Sequence, residues 1–323
     1  MSATRIIRQA ILAADADLVS RHPWLDRCDA VALGLFAGAW LWMGAVAVGW
    51  WSLGLSGWLA VPAIALGLSV LHELEHDLIH DLYLGRWPAV RRAVLAGIWV
   101  GKASLAPWSR GRIHRWHHVV SGQPEDIEER LIGLGLPWGP RRLLLTVLPL
   151  GSVLVAADIR RAVRARRKAG GRTPDLSHGP AYRGVRAIDT LFVFLPLVAV
   201  GGWLAGAGWA APLLVLWVLP NTLRHAAIVS MSSSSHYTDI ERGQLVQQNQ
   251  ILDHPLFWPL QLFCWNFGAT HVLHHFVVQQ PFWRRTLVFG SVRDTLVEQG
   301  VRANDLGSFK RANRWRRSQA GPV

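Results

Sequence analysis

Two long stretches without a charged side chain constrain what this chain can fold into. The first runs from Ala30 to Leu71, 42 residues, and the second from Thr190 to Leu223, 34 residues. About 20 apolar residues in a helix cross the hydrocarbon core of a bilayer, so each stretch is long enough for a pair of crossings. Glycine-rich segments at 51–57 and 201–208 are the expected turns. We therefore expect an all-α integral membrane protein with four transmembrane helices arranged as two hairpins.

Basic side chains are distributed unevenly around these stretches. Neither expected turn contains Lys or Arg, whereas the other segments do and give the chain its net charge of +13. Because basic segments tend to stay in the cytoplasm, we expect both termini and the segment between the hairpins on the cytoplasmic side. A multi-span chain argues against nucleic acid as the partner of this charge and favours an anionic membrane leaflet.

The pattern of charge and hydropathy indicates a single domain over residues 1–323. Its expected segments are an amphipathic lead-in (1–29), hairpin one (30–71), a cytosolic and interfacial segment (72–187), hairpin two (188–230), a second cytosolic segment (231–301) and a basic tail (302–323).

Three histidine motifs lie just beyond or between the apolar stretches. They are His72-Glu-Leu-Glu-His76-Asp-Leu-Ile-His80, His114-Arg-Trp-His117-His118 and His271-Val-Leu-His274-His275. On a helix, residues three or four apart share a face, so each motif can aim two or three imidazoles at one point. A single histidine is most often an ordinary core residue, but two H-x-x-H-H motifs in one chain are rarely due to chance. All three motifs fall on the expected cytoplasmic side, where four helices can bring them together.

The ligand types favour a particular kind of metal site. Cys28 and Cys264 are the only cysteines, which argues against a disulfide framework and a thiolate site. Imidazole nitrogens suit iron, copper, nickel or zinc rather than magnesium or calcium. Eight or more imidazoles exceed the four ligands that one zinc ion usually takes, so we expect two metal ions. Nitrogen-ligated sites with open positions are typical of oxygen activation, which favours non-haem iron.

Together these features resemble the membrane fatty acid desaturase and hydroxylase superfamily. The resemblance covers residues 30–280 and rests on the order H-x-x-x-H, H-x-x-H-H, H-x-x-H-H between apolar hairpins. His236-Tyr237, 35 residues before the third motif, is similar to the isolated histidine that completes iron ligation in this family. Asn266-Phe-Gly-Ala-Thr-His271 resembles the lead-in to its last motif, and Pro124-Glu-Asp126 resembles the residues after the second motif in membrane alkane hydroxylases.

The resemblance implies a four-span enzyme of the bacterial inner membrane, with a cytosolic helical cap that holds a histidine-rich di-iron site. The implied cofactors are two iron ions, with O2 as co-substrate and an external electron donor of the ferredoxin or rubredoxin type. A basic cytosolic face is suited to docking such acidic carriers. The implied substrate is a lipid or acyl chain, and the expected activity is that of a fatty acid desaturase acting on an acyl lipid, acyl-CoA or acyl-ACP. Hydroxylation and 1-alkene-forming decarboxylation are the alternatives within the superfamily.

The resemblance also implies a set of iron ligands. They are His76, His80, His114, His117, His118, His236, His271, His274 and His275. In the first motif, His72/His76 and His76/His80 both have the i,i+4 spacing; the 34 residues from His80 to His114 are closer to the family spacing and favour the later pair. His72 stays a possible ligand. His225, in Asn221-Thr-Leu-Arg-His225, is another, because some relatives use an N-x-x-x-H ligand, and it competes with His236.

Polar side chains near the motifs are expected to hydrogen-bond the far nitrogen of the ligating histidines. The candidates are Glu73, Asp77, Asp126, Asp239 and Asn266.

A function of a different class is also compatible with the first motif. His72-Glu73-Leu-Glu-His76 fits H-E-x-x-H, in which two histidines bind zinc and the glutamate is the general base. An intramembrane zinc metalloprotease of this kind would bind one zinc ion and leave both H-x-x-H-H motifs unused. A metal transporter would need ionisable residues at mid-membrane, which the two charge-free stretches lack.

Overall fold

The computed structural model describes residues 2–123, 125–133, 139–147, 160–161, 163–173, 182–237 and 243–310, which are mostly helical. In chain order we name the helices α1 (Ala3–Arg21), α2 (Cys28–Ser52), α3 (Gly57–Ile79), α4 (Pro88–Lys102), α5 (Pro107–Val120), α6 (Ile127–Gly133), α7 (Pro140–Val147), α8 (Tyr182–Leu204), α9 (Ala210–Ser235), α10 (Leu245–Gln248), α11 (Trp258–Leu262), α12 (Phe267–Phe276), α13 (Phe282–Glu298) and α14 (Gly307–Lys310). Pro23–Asp26 and Pro255–Phe257 are 3-10 turns, and α9 contains a π turn at Leu214–Val218. Two short strands complete the described structure, β1 (Gln250–Ile251) and β2 (Arg302–Ala303).

Four helices of the described residues are long and apolar enough to cross a membrane. They span Cys28–Ser52, Gly57–Ile79, Gly184–Leu204 and Ala210–Ser235. The four helices predicted from the two charge-free stretches are therefore confirmed. The breaks between them contain Gly54 and Gly206, whose φ values of 72° and 74° are left-handed backbone that glycine adopts without a Cβ clash.

The last of these helices is longer than the sequence pattern indicated. Helix α9 continues to Ser235, whereas we expected hairpin two to end at residue 230. The hydroxyls of Ser234 and Ser235 donate to the carbonyls of Ser230 and Met231, four residues earlier, at 2.9 and 2.8 Å. The serine run thus satisfies its own polar groups within the helix instead of ending it.

The outer helices present apolar surface. Within the protein, 22% of the apolar segment of α2 and 11% of that of α8 are buried, against 56% of that of α3. Leu41 and Trp51 on α2 and Trp203 and Leu204 on α8 are among the large apolar side chains that remain exposed. A surface of this composition is suited to lipid rather than to water.

Helix α3 is the central element. It packs against α2, α4, α5 and α9. Every residue from Leu71 to Ile79 is buried. The first histidine motif, which occupies this segment and the residue after it, therefore lies inside the protein.

Helix α1 holds the end of the third motif in place. Its apolar residues Ile7 and Ile11 belong to the same core as the inner face of α13, against which α1 packs. The Arg8 Nε donates to the Phe276 carbonyl at the end of α12, at 2.8 Å. The carboxylate of Asp15 accepts from Gln280 at 2.8 Å and pairs with Arg284.

Two short strands, which the helical patterns did not predict, lie near the end of α9. β1 pairs in parallel with β2, with Gln250 opposite Arg302. Just before β1, Asn249 forms an isolated antiparallel bridge with His236. This bridge, with the 2.8 Å bond from the Tyr237 N–H to the Gln248 carbonyl, fixes the backbone of His236 after α9 ends.

Candidate metal centre

Four separate parts of the chain deliver histidines to one region. His76 lies on α3 and His80 caps its C-terminus, the second motif lies on α5, and the third lies on α12. Pro107 begins α5, as is favourable at a first helical position because the missing N–H has no partner there in any helix. His236 follows α9 directly.

The histidines form two adjoining groups, in each of which one ring nitrogen from every histidine lies within 4.8 Å of the others. Group A is His76, His80, His114 and His274, and group B is His117, His236, His271 and His275. Each group could hold one metal ion. Seven of these eight side chains are buried, and His80 is partly exposed.

His118 lies between the groups. Its Nε2 is 3.0 Å from Nε2 of His274 and 3.2 Å from Nε2 of His114, both of group A. Its ring centroid is 4.8 Å from that of His275 in group B. The structure thus brings together all nine histidines that the resemblance implied as ligands.

The distances between ring nitrogens fit common metal ions. Nε2 of His274 is 3.1 Å from Nε2 of His80, and Nε2 of His271 is 3.2 Å from that of His236. Two nitrogens bound at about 2.1 Å to one ion at roughly a right angle are about 3 Å apart. Both ring nitrogens of His76 are buried without a hydrogen-bond partner among the described residues. A buried, unsatisfied imidazole is costly unless something occupies its lone pair, and a metal ion would do so.

Three carboxylates from one short segment hold the far nitrogens of three histidines. Nδ1 of His117 is 2.6 Å from Asp126, and Nδ1 of His114 is 2.7 Å from Glu128. Nδ1 of His236 is 2.9 Å from Glu129 and 3.0 Å from the Ser232 carbonyl. A carboxylate at Nδ1 accepts the proton there and leaves the Nε2 lone pair free for a metal.

Sequence reasoning named Asp126 for this role but missed Glu128 and Glu129. The signal was present, since the segment after the second motif is rich in acidic residues and opens α6. Oδ1 of Asp126 accepts the backbone N–H groups of Glu128 and Glu129 at 3.1 and 3.2 Å, which starts α6 with both glutamates beside the histidines.

The other polar candidates have different neighbours. Asp77 accepts from the Phe282 N–H at 2.7 Å and pairs with Arg285 at 3.0 Å, while its oxygen is 3.6 Å from Nδ1 of His76. Glu73 lies 3.7 Å from Arg285. Asn266 adopts a left-handed conformation before α12, and its carbonyl accepts from Thr270. Asp239 lies outside the described residues.

Arg285 is a further residue that the sequence did not reveal. Its guanidinium lies 3.1 Å from Nδ1 of His274 and donates to the Gln280 carbonyl at 2.6 Å. Together with its pairing to Asp77, these contacts connect α13 to α3 and α12 beside group A.

The two possible additional ligands lie outside both groups. Nδ1 of His72 is 3.1 Å from the Arg224 guanidinium, and its Nε2 is 3.4 Å from that of Arg110. His225 follows Arg224 on α9 and belongs to neither group. Guanidinium groups at both ring nitrogens of His72 repel a metal cation, which disfavours the zinc protease interpretation of His72-Glu73-x-x-His76.

The electrostatics of the site keep most of its histidines outside the membrane-spanning helices neutral. Burial, followed by neighbouring imidazoles, lowers the pKa of His114 and His271 well below the ordinary value. Burial and the Arg285 charge lower the pKa of His80 to about 3. Burial also acts to lower the pKa of His117, but the Asp126 carboxylate outweighs it and raises that pKa to about 9. Neutral imidazoles keep the lone pair that metal binding requires, and a metal at His117 would displace its second proton.

Comparison with protein families agrees with this geometry. The family model described as fatty acid desaturase matches residues 56–307, more than three quarters of the chain. A comparison with curated proteins gave no match. The matched region includes all three histidine motifs, His236 and the carboxylates that face them. The chain belongs to the fatty acid desaturase family, within the membrane desaturase and hydroxylase superfamily that its histidine motifs indicated.

Proposed function

We propose that this protein is an O2-dependent, membrane-bound di-iron oxidoreductase that desaturates a fatty acyl chain. The observation that carries the proposal is the pair of adjoining four-histidine groups, reached by helices that are apolar enough to span a membrane, in a chain of this family. Family membership implies oxidoreductase chemistry on a fatty acid, and the donor set supports iron as the metal.

The proposed ligands follow from the two groups. Group A would hold one iron and group B the other, and His118, with its Nε2 3.0 Å from that of His274, would add a nitrogen to group A. Two bound iron ions would supply the oxidising chemistry, driven by O2 and external electrons, that removes hydrogen from an unactivated carbon.

The protein's own residues would prepare the site for that chemistry. Asp126, Glu128 and Glu129 keep a proton on Nδ1 of His117, His114 and His236, so that each Nε2 points its lone pair into the site. Burial of seven of the eight histidines would limit the access of water and so protect reactive species from side reactions.

We propose that the four apolar helices form two transmembrane hairpins, α2 with α3 and α8 with α9. The histidine motifs and both termini would then lie on the cytoplasmic side of a bacterial inner membrane, in a single domain with a helical cap. The absence of Lys and Arg from the two glycine-rich turns supports this orientation.

We propose that electrons arrive from a separate ferredoxin- or rubredoxin-type protein. Exposed arginines on the proposed cytoplasmic side, such as Arg5, Arg86 and Arg115, would attract its acidic surface.

Metal analysis and lipid mass spectrometry together test the proposal. Purified protein is expected to contain two iron ions per chain, and expression with a reductase system and O2 should yield fatty acids that have lost two hydrogens. Hydroxylation would instead add one oxygen atom, and decarboxylation would yield a terminal alkene.

Matched variants make that test specific to the site. His274→Ala should abolish product and reduce iron content, whereas His22→Ala, an exposed histidine after α1, should change neither. One zinc ion per chain, or full activity in His274→Ala, would refute the di-iron assignment.

A further inference from the structure

A second set of polar side chains lies one helical turn away from group A. Lys102 at the end of α4, Arg110 on α5 and Arg224 on α9 form what we call the cation cluster. Lys102 and Arg224 are 2% and 3% exposed, so their charges are removed from water. Such burial is costly for a cation unless an anion compensates it.

A single carboxylate forms ion pairs with two of the three cations. Glu75, on α3, pairs with Lys102 and, at 3.1 Å, with Arg110. No carboxylate of the described residues lies within ion-pairing distance of Arg224; its Nη1 contacts only His72, at 3.1 Å, and its buried Nε has no hydrogen-bond partner. By contrast, Arg285 is buried to a similar extent, but its charge is compensated by the Asp77 carboxylate at 3.0 Å.

The carboxylates are shared unevenly among the members of the cation cluster. Glu75 pairs with Lys102 and Arg110, and Glu128 and Glu73 also attract Arg110 from farther away. Arg224 is the member that has no carboxylate within ion-pairing distance among the described residues. Burial lowers the pKa of Lys102 to about 7 even with Glu75 beside it, as expected where positive charge is concentrated.

Helix α9, which carries Arg224, is anchored by hydrogen bonds to the end of α4. Trp217, Asn221 and Arg224 share one face of α9 by their spacing. The side chains of Trp217 and Asn221 both donate to the Gly101 carbonyl at 2.9 Å, next to Lys102. Arg224 is therefore held against the end of α4 by its own helix.

The position of the cation cluster relative to the metal site is defined by two helices. His72, which lies between Arg224 and Arg110, precedes His76 by four residues on α3, and Arg110 precedes His114 by four residues on α5. Four residues advance a helix by about 6 Å. An anion bound at the cation cluster would lie about one turn from group A.

We propose that the cation cluster binds the carboxylate of a free fatty acid, so that the carbons nearest the acid group lie beside group A. This inference rests on the proposed function and narrows its substrate class. A carboxylate brings the negative charge that Arg224 lacks at pairing distance, and it accepts paired hydrogen bonds from a guanidinium. It is also the only polar end of a single acyl chain, small enough to be buried together with its apolar tail.

Binding measurements test this without turnover. The full-length, iron-loaded protein in nanodiscs is titrated with palmitate brominated near its acid end, and with the methyl ester of the same molecule. Quenching of tryptophan fluorescence reports binding, because Trp217 lies beside the cluster. The acid is expected to bind at least about tenfold more tightly than the ester, since the ester cannot supply the charge. Equal affinities would overturn the inference.

Three variants locate the effect. Arg224→Gln should lower affinity for the acid about tenfold or more and leave that for the ester unchanged. Arg224→Lys, which keeps the charge, should retain most of the preference for the acid. Arg92→Gln, an exposed arginine on α4, should alter neither affinity. If Arg224→Gln weakens acid and ester equally, Arg224 acts only on the structure and the inference fails.

A lipid phosphate is the other source of such an anion. If lysophosphatidic acid binds in an Arg224-dependent manner while palmitate does not, the carboxylate assignment is wrong. Binding and iron content are independent readouts: loss of acid preference with two irons present refutes only this inference, and a single zinc ion refutes only the di-iron proposal.

Discussion

The carboxylate of Asp126 lies 2.6 Å from Nδ1 of His117, and both side chains are buried. The same carboxylate accepts the backbone N–H groups of Glu128 and Glu129, which face two further histidines. One acidic residue thus organises the start of α6 and, through it, the orientation of imidazoles in both groups.

Asp126→Asn should weaken metal retention. The amide keeps the size of the carboxylate but loses its charge, so that the His117 imidazole becomes a poorer ligand. Loss of such a hydrogen-bond partner typically costs about 10–100-fold in metal affinity or activity. The measurement is iron released to a chelator over a concentration series. Glu125→Gln, at the neighbouring residue that pairs with Arg166, is the control and should behave as wild type.

Glu128→Gln and Glu129→Gln should affect different metal ions. Glu128 faces His114 of group A and Glu129 faces His236 of group B. In each single variant, one of the two irons should be released about 10–100-fold more readily than in the wild type, while the second iron is retained. The double variant should release both irons more readily. Iron stoichiometry during graded chelation distinguishes these cases. Release of both irons together by either single variant would argue against two separable sites.

Arg285→Met should destabilise the fold. It removes one partner of a buried ion pair and leaves the Asp77 carboxylate, among the described residues, with the Phe282 N–H and the more distant Nδ1 of His76. Breaking a buried pair in this way lowers the free energy of unfolding by about 3–5 kcal/mol. Denaturant unfolding in micelles, followed by tryptophan fluorescence, measures the loss. Replacing Asp77 by Leu as well should restore part of it, whereas Arg21→Gln, in an exposed pair, should have little effect.

The Asp253 carboxylate should contribute to acid sensitivity. Burial acts to raise its pKa, but hydrogen bonds from Arg293 and Asn304 outweigh burial and hold the pKa below its ordinary value. Because the folded-state pKa is the lower one, the stabilisation is complete above about pH 4 and is lost as pH falls through the folded-state pKa. The stability difference between wild type and Asp253→Asn should therefore shrink on acidification, as thermal unfolding at successive pH values would show. A difference that stays constant with pH would contradict this assignment.

The helices and the family could be predicted because the membrane imposes a simple rule. A charge-free stretch such as Ala30 to Leu71 is long enough for two apolar helices that could span a membrane, and the histidine motifs repeat at helical spacing. The short strands near His236 follow no such rule, because a two-residue pairing depends on where distant segments cross.

The details of the site could not be predicted, because they depend on partners far apart in sequence. His72 and His80 each lie four residues from His76, and the difference between them is that His72 faces Arg224, 152 residues away. Similarly, Arg285 reaches His274 from the next helix, and only the turn that starts α6 decides which carboxylate meets which histidine. Sequence proximity selects candidates, whereas helix packing selects among them.

The single helical turn between His72 and His76 has a consequence for regioselectivity. If a fatty acid is held by its carboxylate beside His72, the carbon that reacts lies a fixed number of carbons from that carboxylate, whatever the length of the remaining tail. Laurate and stearate should then be altered at the same carbon number, and only the tail protruding towards the lipid should differ.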